Sequence, residues 1–389
     1  MREKVIKEAE ALEEQLTSMS DAIYRHPETA FEEFETSALL RRFFEERAFT
    51  VEEGVGGVAT AFRAAWGSGR PVIALLAEMD ALPGIGHGCG HNLIGPASAG
   101  AAAVLSKVLP PEQAGTVLVL GTPAEEDGGG KIKLLDAGLF QDVDFAMMVH
   151  PSSRRKVTKY FIGLVRITCT FTGRSSHASA YPEEGINALD GVIQTFNNVN
   201  ALRQQLRSDV RIHGVITDGG QVPNIIPERA SASFYVRAGD RAELAAVKER
   251  FLNCVRGAAT ATGCQVTIKE ESDSNAPMKI STALARIYRD QLDYLGLEEE
   301  ANSPDDRNLG SSDIGNVSQV VPTIHPLVPM RKGINIHTSE FAEATVSEDG
   351  HRALMEGVTT LALTALELMT NPAALEAVKQ EFARSGSTP

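Results

Sequence analysis

The chain has 389 residues, 43% hydrophobic and 23% charged, enough apolar material for two or three globular cores and too much for a disordered protein. With 51 acidic against 37 basic residues the formal net charge is −14, which opposes binding to nucleic acid or an anionic membrane and favours a small-molecule substrate.

The amino-terminal segment MREKVIKEAEALEEQL is charged and helix-periodic, without the basic tip and apolar core of a secretory signal. Residues 4 to 49 predict two helices flanking a turn at Pro27, the second restarting after Thr29. VIALLAEMDAL then reads as a strand buried on both faces with Asp80 at its end, followed by a Gly/Ala-rich helix from about Leu93 to Leu109. TVLVLGTPAEED predicts a second buried strand ending in carboxylates, KIKLLDAGLF a helix closed by Gly138, and VDFAMMVHP a third strand ending in His150. This strand–helix alternation implies an α/β fold with a mostly parallel sheet, whose strand ends converge on one edge.

From about Leu164 the pattern changes to alternating strands (VRITCTFTG, VRIHGVITDGG, ASASFYVRA, QVTIKEE) interleaved with two helices. That order predicts a ferredoxin-like α+β domain inserted into the first. The expected organisation is a catalytic domain in two parts, 1–163 and 278–389, with an inserted lid or dimerisation domain at 164–277. After it come a helix (ALARIYRDQLDYLG), a Gly/Ser loop, a strand (VVPTIHPLV), the loop INIHTSEF and a long helix from about Ser347. No run reaches the ~18 consecutive apolar residues of a membrane span. The four cysteines lack the density of a disulfide scaffold, so a reducing, cytoplasmic location is expected.

Three strand ends carry metal-ligand chemistry. Cys89 and His91 lie one residue apart on a glycine-rich loop whose Gly88 and Gly90 let both face one ion. Glu125 and Glu126 are adjacent on extended chain, so their side chains diverge and take separate jobs; spacing alone does not say which ligates and which faces a water. His150 and His337 each follow an apolar segment, and each taken singly reads as an ordinary histidine. Together with a bridging carboxylate they complete a dinuclear hydrolytic set. Asp80 is placed to hold a ligand or a water by a hydrogen bond. His177, in the inserted segment, is too remote in the fold to be a ligand; on its residues alone it reads as a turn or capping histidine, or as a donor to a developing oxyanion, supplied by a neighbouring subunit or by closure. Asn224 and Arg237 read either as substrate contacts or as polar groups that hold the fold, and Arg237, with Ser311 and Ser312 of the 311–313 loop, is a candidate to face a substrate carboxylate.

The motifs HPETAFEE, AEMDALPG, GHGCGHN, PAEE, MVHP, SSHA, PNIIPE and IHTSEF, in that order, resemble the aminoacylase and glutamate-carboxypeptidase family of dinuclear zinc peptidases, in its amidohydrolase branch of aminobenzoyl-glutamate hydrolases, indole-acetyl-amino-acid hydrolases and β-alanyl-lysine-type dipeptidases. The resemblance covers nearly the whole chain. It implies two divalent metal ions, zinc first with manganese or cobalt as alternatives, on Cys89, His91, Glu126, His150 and His337. It also implies Glu125 as general base and a homodimer through the inserted domain, with His177 and Asn224 completing the partner's site. Two departures stand out: Asn92 and Glu78 occupy positions where many members of the branch carry aspartate. The expected reaction is hydrolysis of an amide bond in a small N-acyl amino acid or dipeptide with a free carboxylate. The alternatives are a hydrolytic deaminase of an aromatic amine on the same metals, and a catalytically silent binding protein of the same fold.

Overall fold

The computed structural model describes residues 1–110, 115–271, 274–301 and 310–385. These form two compact units: one of Met1–Tyr160 with the described residues from Met278 onward except 310–311, the other of Phe161–Pro277 with residues 310–311.

In chain order the strands of the first unit are β1 (Thr50–Glu53), β2 (Phe62–Ser68), β3 (Val72–Glu78), β4 (Gly115–Thr122), β5 (Phe145–Met147) and β6 (His150–Ser152). After the second unit's β7 (Gly163–Thr172), β8 (Arg211–Asp218), β9 (Arg229–Ala238) and β10 (Gln265–Glu270) come β11 (Thr323–Ile324) and β12 (Leu327–Pro329). The main sheet has the order β1-β2-β4-β3-β5-β11, with β4, β3, β5 and β11 parallel. The unbroken apolar run of β3 is what a strand covered on both faces requires.

Between β3 and β4 runs helix His91–Val108, buried at every residue except Ser106 and Lys107. Its small residues permit that depth: a Cβ at Gly100 would come within 2.5 Å of Leu16 Cδ1 and 2.9 Å of Val358 Cγ2. The second of those contacts comes from helix Glu348–Thr370, which is long and apolar enough to cross a bilayer by length alone, yet 72% of its most apolar window is buried in the fold.

Three expectations are corrected here. The strand expected to run into His150 is interrupted at Met148–Val149: β5 pairs with β11, while His150 begins β6, which pairs with β12 in a separate two-stranded ladder. VVPTIHPLV breaks at the matching place, where Pro326 has no N–H to give to a ladder. The amino-terminal segment forms three helices, Arg2–Glu10, Glu13–Arg25 and Phe34–Glu45; the last starts later than expected because the Glu28 carboxylate accepts the N–H groups of Glu35 and Thr36, each at 2.8 Å, and so caps its first turn. The antiparallel pair β1 and β2, short and partly exposed, extends the sheet beyond β4.

The second unit is ferredoxin-like. Its chain order is β7, helix Ala188–Arg203, β8, β9, helix Arg241–Thr262, β10, and its sheet is antiparallel in the order β10-β7-β9-β8. The two helices are capped by Asn187 and Asp240, whose side chains accept N–H groups of the first turns. The whole chain thus has an α/β, mostly parallel catalytic domain and an α+β dimerisation domain.

Candidate active site

The carboxyl end of β3 supplies Glu78 and, two residues on, Asp80; the following turn brings Cys89 and places His91 at the first position of the buried helix. Gly90 joins them at φ +83°, where a Cβ would lie 2.4 Å from Pro151 Cγ. Only glycine lets thiol and imidazole approach from consecutive turns here.

His91 is fully buried. Its Nδ1 lies 3.1 Å from Asp80 Oδ1, which leaves Nε2 facing Glu78 Oε2 at 3.3 Å and Glu126 Oε1 at 4.0 Å. His150 is held at Nδ1, 2.7 Å from the Pro151 carbonyl, so its Nε2 is the free nitrogen and sits 3.4 Å from Cys89 Sγ. His337 reaches the same place from a distant segment: its Nε2 is 3.4 Å from Glu126 Oε1, and its own N–H donates to the Gly88 carbonyl at 2.7 Å. His337 adopts φ +63°, a conformation that a non-glycine residue holds only when its surroundings enforce it.

Among the described residues, four groups of donor atoms, each mutually within 4.8 Å, have the composition to hold a metal ion: Cys89, His91 and His150; Cys89, Glu126 and His337; His91, Glu125 and Glu126; and Glu78, Glu125 and Asp313. Cys89, His91 and Glu126 each belong to two of the first three groups, so those donor sets adjoin one another. Buried polar atoms are almost always paired, yet His91 Nε2 and Glu126 Oε1 form no well-aligned hydrogen bond and have only the ion-pair contacts to Glu78, to His337 and to each other. These two atoms, gathered with the Cys89 thiol and the Nε2 atoms of His150 and His337, are a donor set that fits a pair of divalent cations.

The electrostatics agree. Burial would lower the His91 imidazole, but Asp80 and Glu78 outweigh it and hold it well above its ordinary value. Burial, helped by His91 and opposed by Glu78, the Pro151 carbonyl and Glu126, pushes His150 down to about 4. Burial, reinforced by Glu126, raises the Cys89 thiol well above its usual range; a divalent cation inverts that balance, because a coordinating thiol is deprotonated.

The extended geometry expected for Glu125 and Glu126 is not found: both lie in a turn, and both offer an oxygen to the group shared with His91. Glu126 faces His337 and His91, while Glu125 lies with Glu78 and Asp313 in a group whose oxygens are mutually within 4.8 Å. Burial, then Glu78, Asp313 and Glu126, raise the Glu125 carboxyl well above the ordinary carboxylate range, and Lys131 partly offsets them. The turn into this pair is strained at Ala124, φ +56°, and buried Glu33 holds it: Oε1 accepts the N–H of Ala124 at 2.8 Å and of Phe31 at 3.0 Å, while Oε2 accepts the Thr60 hydroxyl at 2.8 Å.

Seven expected residues therefore meet in the first unit: Asp80, Cys89, His91, Glu125, Glu126, His150 and His337. His177, Asn224, Arg237 and Ser311 lie in the second. There His177 and Asn224 are neighbours, Ala178 N–H donating to the Asn224 carbonyl at 3.0 Å, and both side chains are exposed. His177 Nδ1 accepts the N–H of Ala180 at 3.3 Å, so the residue also caps its own turn. Arg237 donates to Ser311 Oγ at 2.9 Å. Ser312 is buried in the first unit, its Oγ accepting the N–H of Ile314 at 3.4 Å.

Sequence reasoning missed Glu33, Lys131 and Asp313, and noted Glu78 only as a departure. It also passed over His87, buried and pushed down by burial to about 3, and His325, whose ring centroid is 5.2 Å from that of His150. The available signals were HPETAFEE for Glu33 and a lysine opening an otherwise apolar helix for Lys131.

Residues 162–262 match the family model of a peptidase dimerisation domain. A Xaa-Arg dipeptidase from Mus musculus is 39% identical over 388 residues, covering 95% of this chain and 89% of the relative. One of the subunits of p-aminobenzoyl-glutamate hydrolase from Escherichia coli (strain K12) is 33% identical over 310 residues, 75% of this chain and 64% of the relative. Among solved structures, the Bacillus subtilis YXEP protein, described as a dinuclear metal binding peptidase from the M20 family, superposes with a TM-score of 0.71 at 21% identity over 92% of this chain and 99% of that one. This chain belongs to the M20 peptidase family and is a metal-dependent hydrolase of amide bonds.

Proposed function

We propose that the first unit holds two divalent cations, zinc by preference, on Cys89, His91, Glu126, His150 and His337, and hydrolyses a dipeptide or small N-acyl amino acid with a free carboxylate. The observation that carries this reading is the adjoining of three donor groups through Cys89, His91 and Glu126, with His91 Nε2 and Glu126 Oε1 buried and in no well-aligned hydrogen bond. The thiolate favours zinc, while imidazole and carboxylate also suit manganese or cobalt.

When bound, the cations polarise the scissile carbonyl and make an attacking water more acidic. Glu125 takes the proton of that water; its raised affinity for protons, set by burial and by Glu78 and Asp313, suits a base that must later release the proton to the leaving nitrogen. Asp80 fixes the His91 tautomer, and the turn of Ala124, held by Glu33, aims both glutamates. His177 and Asn224, exposed side by side, are proposed to complete the site of a partner subunit.

Within the substrate class, a dipeptide ending in arginine is the proposed preference. The 39% identity to a protein named for that activity supports it, and so does the chain's charge of −14, which draws a cationic substrate and repels an anionic one such as aminobenzoyl-glutamate. The deciding experiment assays dipeptides with carboxy-terminal Arg, Lys or Glu, N-acyl amino acids and aminobenzoyl-glutamate on zinc-, manganese- and cobalt-loaded protein. Release of no free amino acid from any of them would end this reading, and ammonia from an aryl amine would replace it with the deaminase.

The protein is further proposed to be a homodimer working in a reducing compartment. Match of the second unit to a dimerisation domain supports the first statement, and a Cys89 that must remain a free thiol supports the second.

A further inference from the structure

Beside Glu125 lies a buried nest of charge, Glu78, Lys131 and Asp313, none of which is among the proposed metal ligands. The side chains of Glu78, Lys131 and Asp313 are 1%, 0% and 0% exposed. The Lys131 ammonium is 2.6 Å from Asp313 Oδ1 and 2.7 Å from Glu78 Oε1, and the Lys131 N–H donates to Asp313 Oδ2 at 2.9 Å. Burial would strip the proton from a lysine, but Asp313, Glu78 and Glu125 outweigh it and hold Lys131 charged.

Three carboxylates with oxygens mutually within 4.8 Å are a composition that can hold a metal ion. Here an ammonium carried by the chain itself lies against two of them. Glu78 is divided between two neighbours: Oε1 pairs with Lys131, while Oε2 lies 3.3 Å from His91 Nε2, the imidazole nitrogen left for a cation. Proximity alone would make Glu78 a sixth ligand. A carboxylate already neutralised by a buried ammonium has less to gain from a second cation, and breaking a buried pair is costly.

We propose that Lys131 is a positioning residue whose ammonium withdraws Glu78 and Asp313 from the metal-ligand set, so that the nest beside Glu125 is filled by an internal cation in place of a third metal ion. Lys131 also closes the excursion that begins at Pro123 and carries Glu125 and Glu126, so the same ammonium anchors the end of that excursion to β3 and to the turn before helix Ile314–Val320.

This inference rests on the two-cation reading above, and zinc stoichiometry separates the two. Wild type, Glu78→Gln and Lys131→Met are loaded with zinc, desalted and analysed for metal, and affinities are taken by competition with a chromophoric chelator; far-UV circular dichroism reports the fold of each metal-free protein. Two ions are expected on wild type and on Glu78→Gln, the latter with an affinity loss smaller than the ~10-fold that removing even an outer partner of a metal ligand costs. Lys131→Met is expected to take up a third zinc equivalent. Wild type without two ions would sink the metal-site reading itself. Wild type with two ions and Glu78→Gln with one, or a folded Lys131→Met that still binds only two, would overturn the role of Lys131. Should Lys131→Met fail to fold, Glu78→Gln, which leaves the Lys131–Asp313 pair intact, decides alone.

Discussion

Asp80 and His91 form a buried pair in which Asp80 Oδ1 sits 3.1 Å from His91 Nδ1, and Asp80 Oδ2 accepts the N–H of Glu126 at 2.9 Å. One carboxylate thereby orients two proposed ligands from separate strand ends. Burial would raise the Asp80 carboxyl, but His91 and the N–H groups of Glu126 and Glu125 hold it below the usual range, so it is ionised. Asp80→Asn keeps the shape and an acceptor for Glu126 but removes the charge that fixes the imidazole. Zinc affinity is expected to fall ~10- to 100-fold with an unchanged circular dichroism spectrum. An affinity equal to that of wild type would show that Asp80 does not tune the ligand.

Glu125→Gln tests the division of labour between the two glutamates. Its side chain faces the Glu78 and Asp313 nest while Glu126 faces His337 and His91. The variant is expected to keep both metal ions and to lose ~10²- to 10⁴-fold in kcat, the worth of a positioned base. Loss of an ion at undiminished turnover of the remaining holoenzyme would reverse the assignment.

What was legible in the sequence was whatever a local pattern encodes. Cys89, His91, Glu125 and Glu126 stand at ends of uninterrupted apolar strands, and the structure brings those ends together. The break between Met147 and His150 escaped notice because it is set by a distant partner: β11 and β12 are themselves parted by His325–Pro326, and a paired strand must follow its neighbour's register. Lys131 and Asp313 were missed for a related reason. They are 182 residues apart, and a lysine reads as a solvated surface residue unless its counter-charge is known. β1 and β2, short and partly exposed, carry no period strong enough to announce themselves.

The first unit's carboxyl-terminal helix is tied to the sheet by a charge that sets a pH dependence. Asp144, its side chain 3% exposed, accepts from Val72 N–H and Arg70 at 2.7 Å each and pairs with Lys379 at 2.7 Å. Burial would raise its carboxyl, but Lys379, the Val72 N–H and Arg70 lower it below the ordinary value. A depressed folded-state pKa contributes stability above the unfolded value, ~3.9, and loses it as pH falls through the folded value. Asp144→Asn should therefore cost about 1–3 kcal/mol in urea unfolding at pH 7, and the gap to wild type should shrink below about pH 4. A gap that stays constant down to acid would mean that packing, not charge, is what Asp144 provides.

β8 is an edge strand of the second unit's sheet, and Val215 and Ile216 on it are 63% and 47% exposed. Free edges with apolar side chains invite pairing with another chain unless charge blocks them. Val215→Lys is expected to shift the protein from dimer to monomer in analytical ultracentrifugation while the far-UV spectrum is retained. A stable dimer in this variant would move the interface elsewhere on the molecule.

The proposed dimer has a catalytic consequence only if His177 serves the partner's site. His177, bridged to Ile225, and the preceding Asn224 are both exposed, so a side chain there is free to reach another subunit. His177→Ala should lower kcat with little change in unfolding midpoint, since an exposed turn histidine buries little. The sharper test mixes His177→Ala with Glu125→Gln after reversible dissociation. Each mixed dimer then owns one site with an intact base and an intact partner histidine, so random reassociation should recover about a quarter of wild-type activity from two nearly inactive parents, as two-fold symmetry requires. If each site instead used its own His177, every site in the mixture would lack one of the two groups and activity would stay at the parental level.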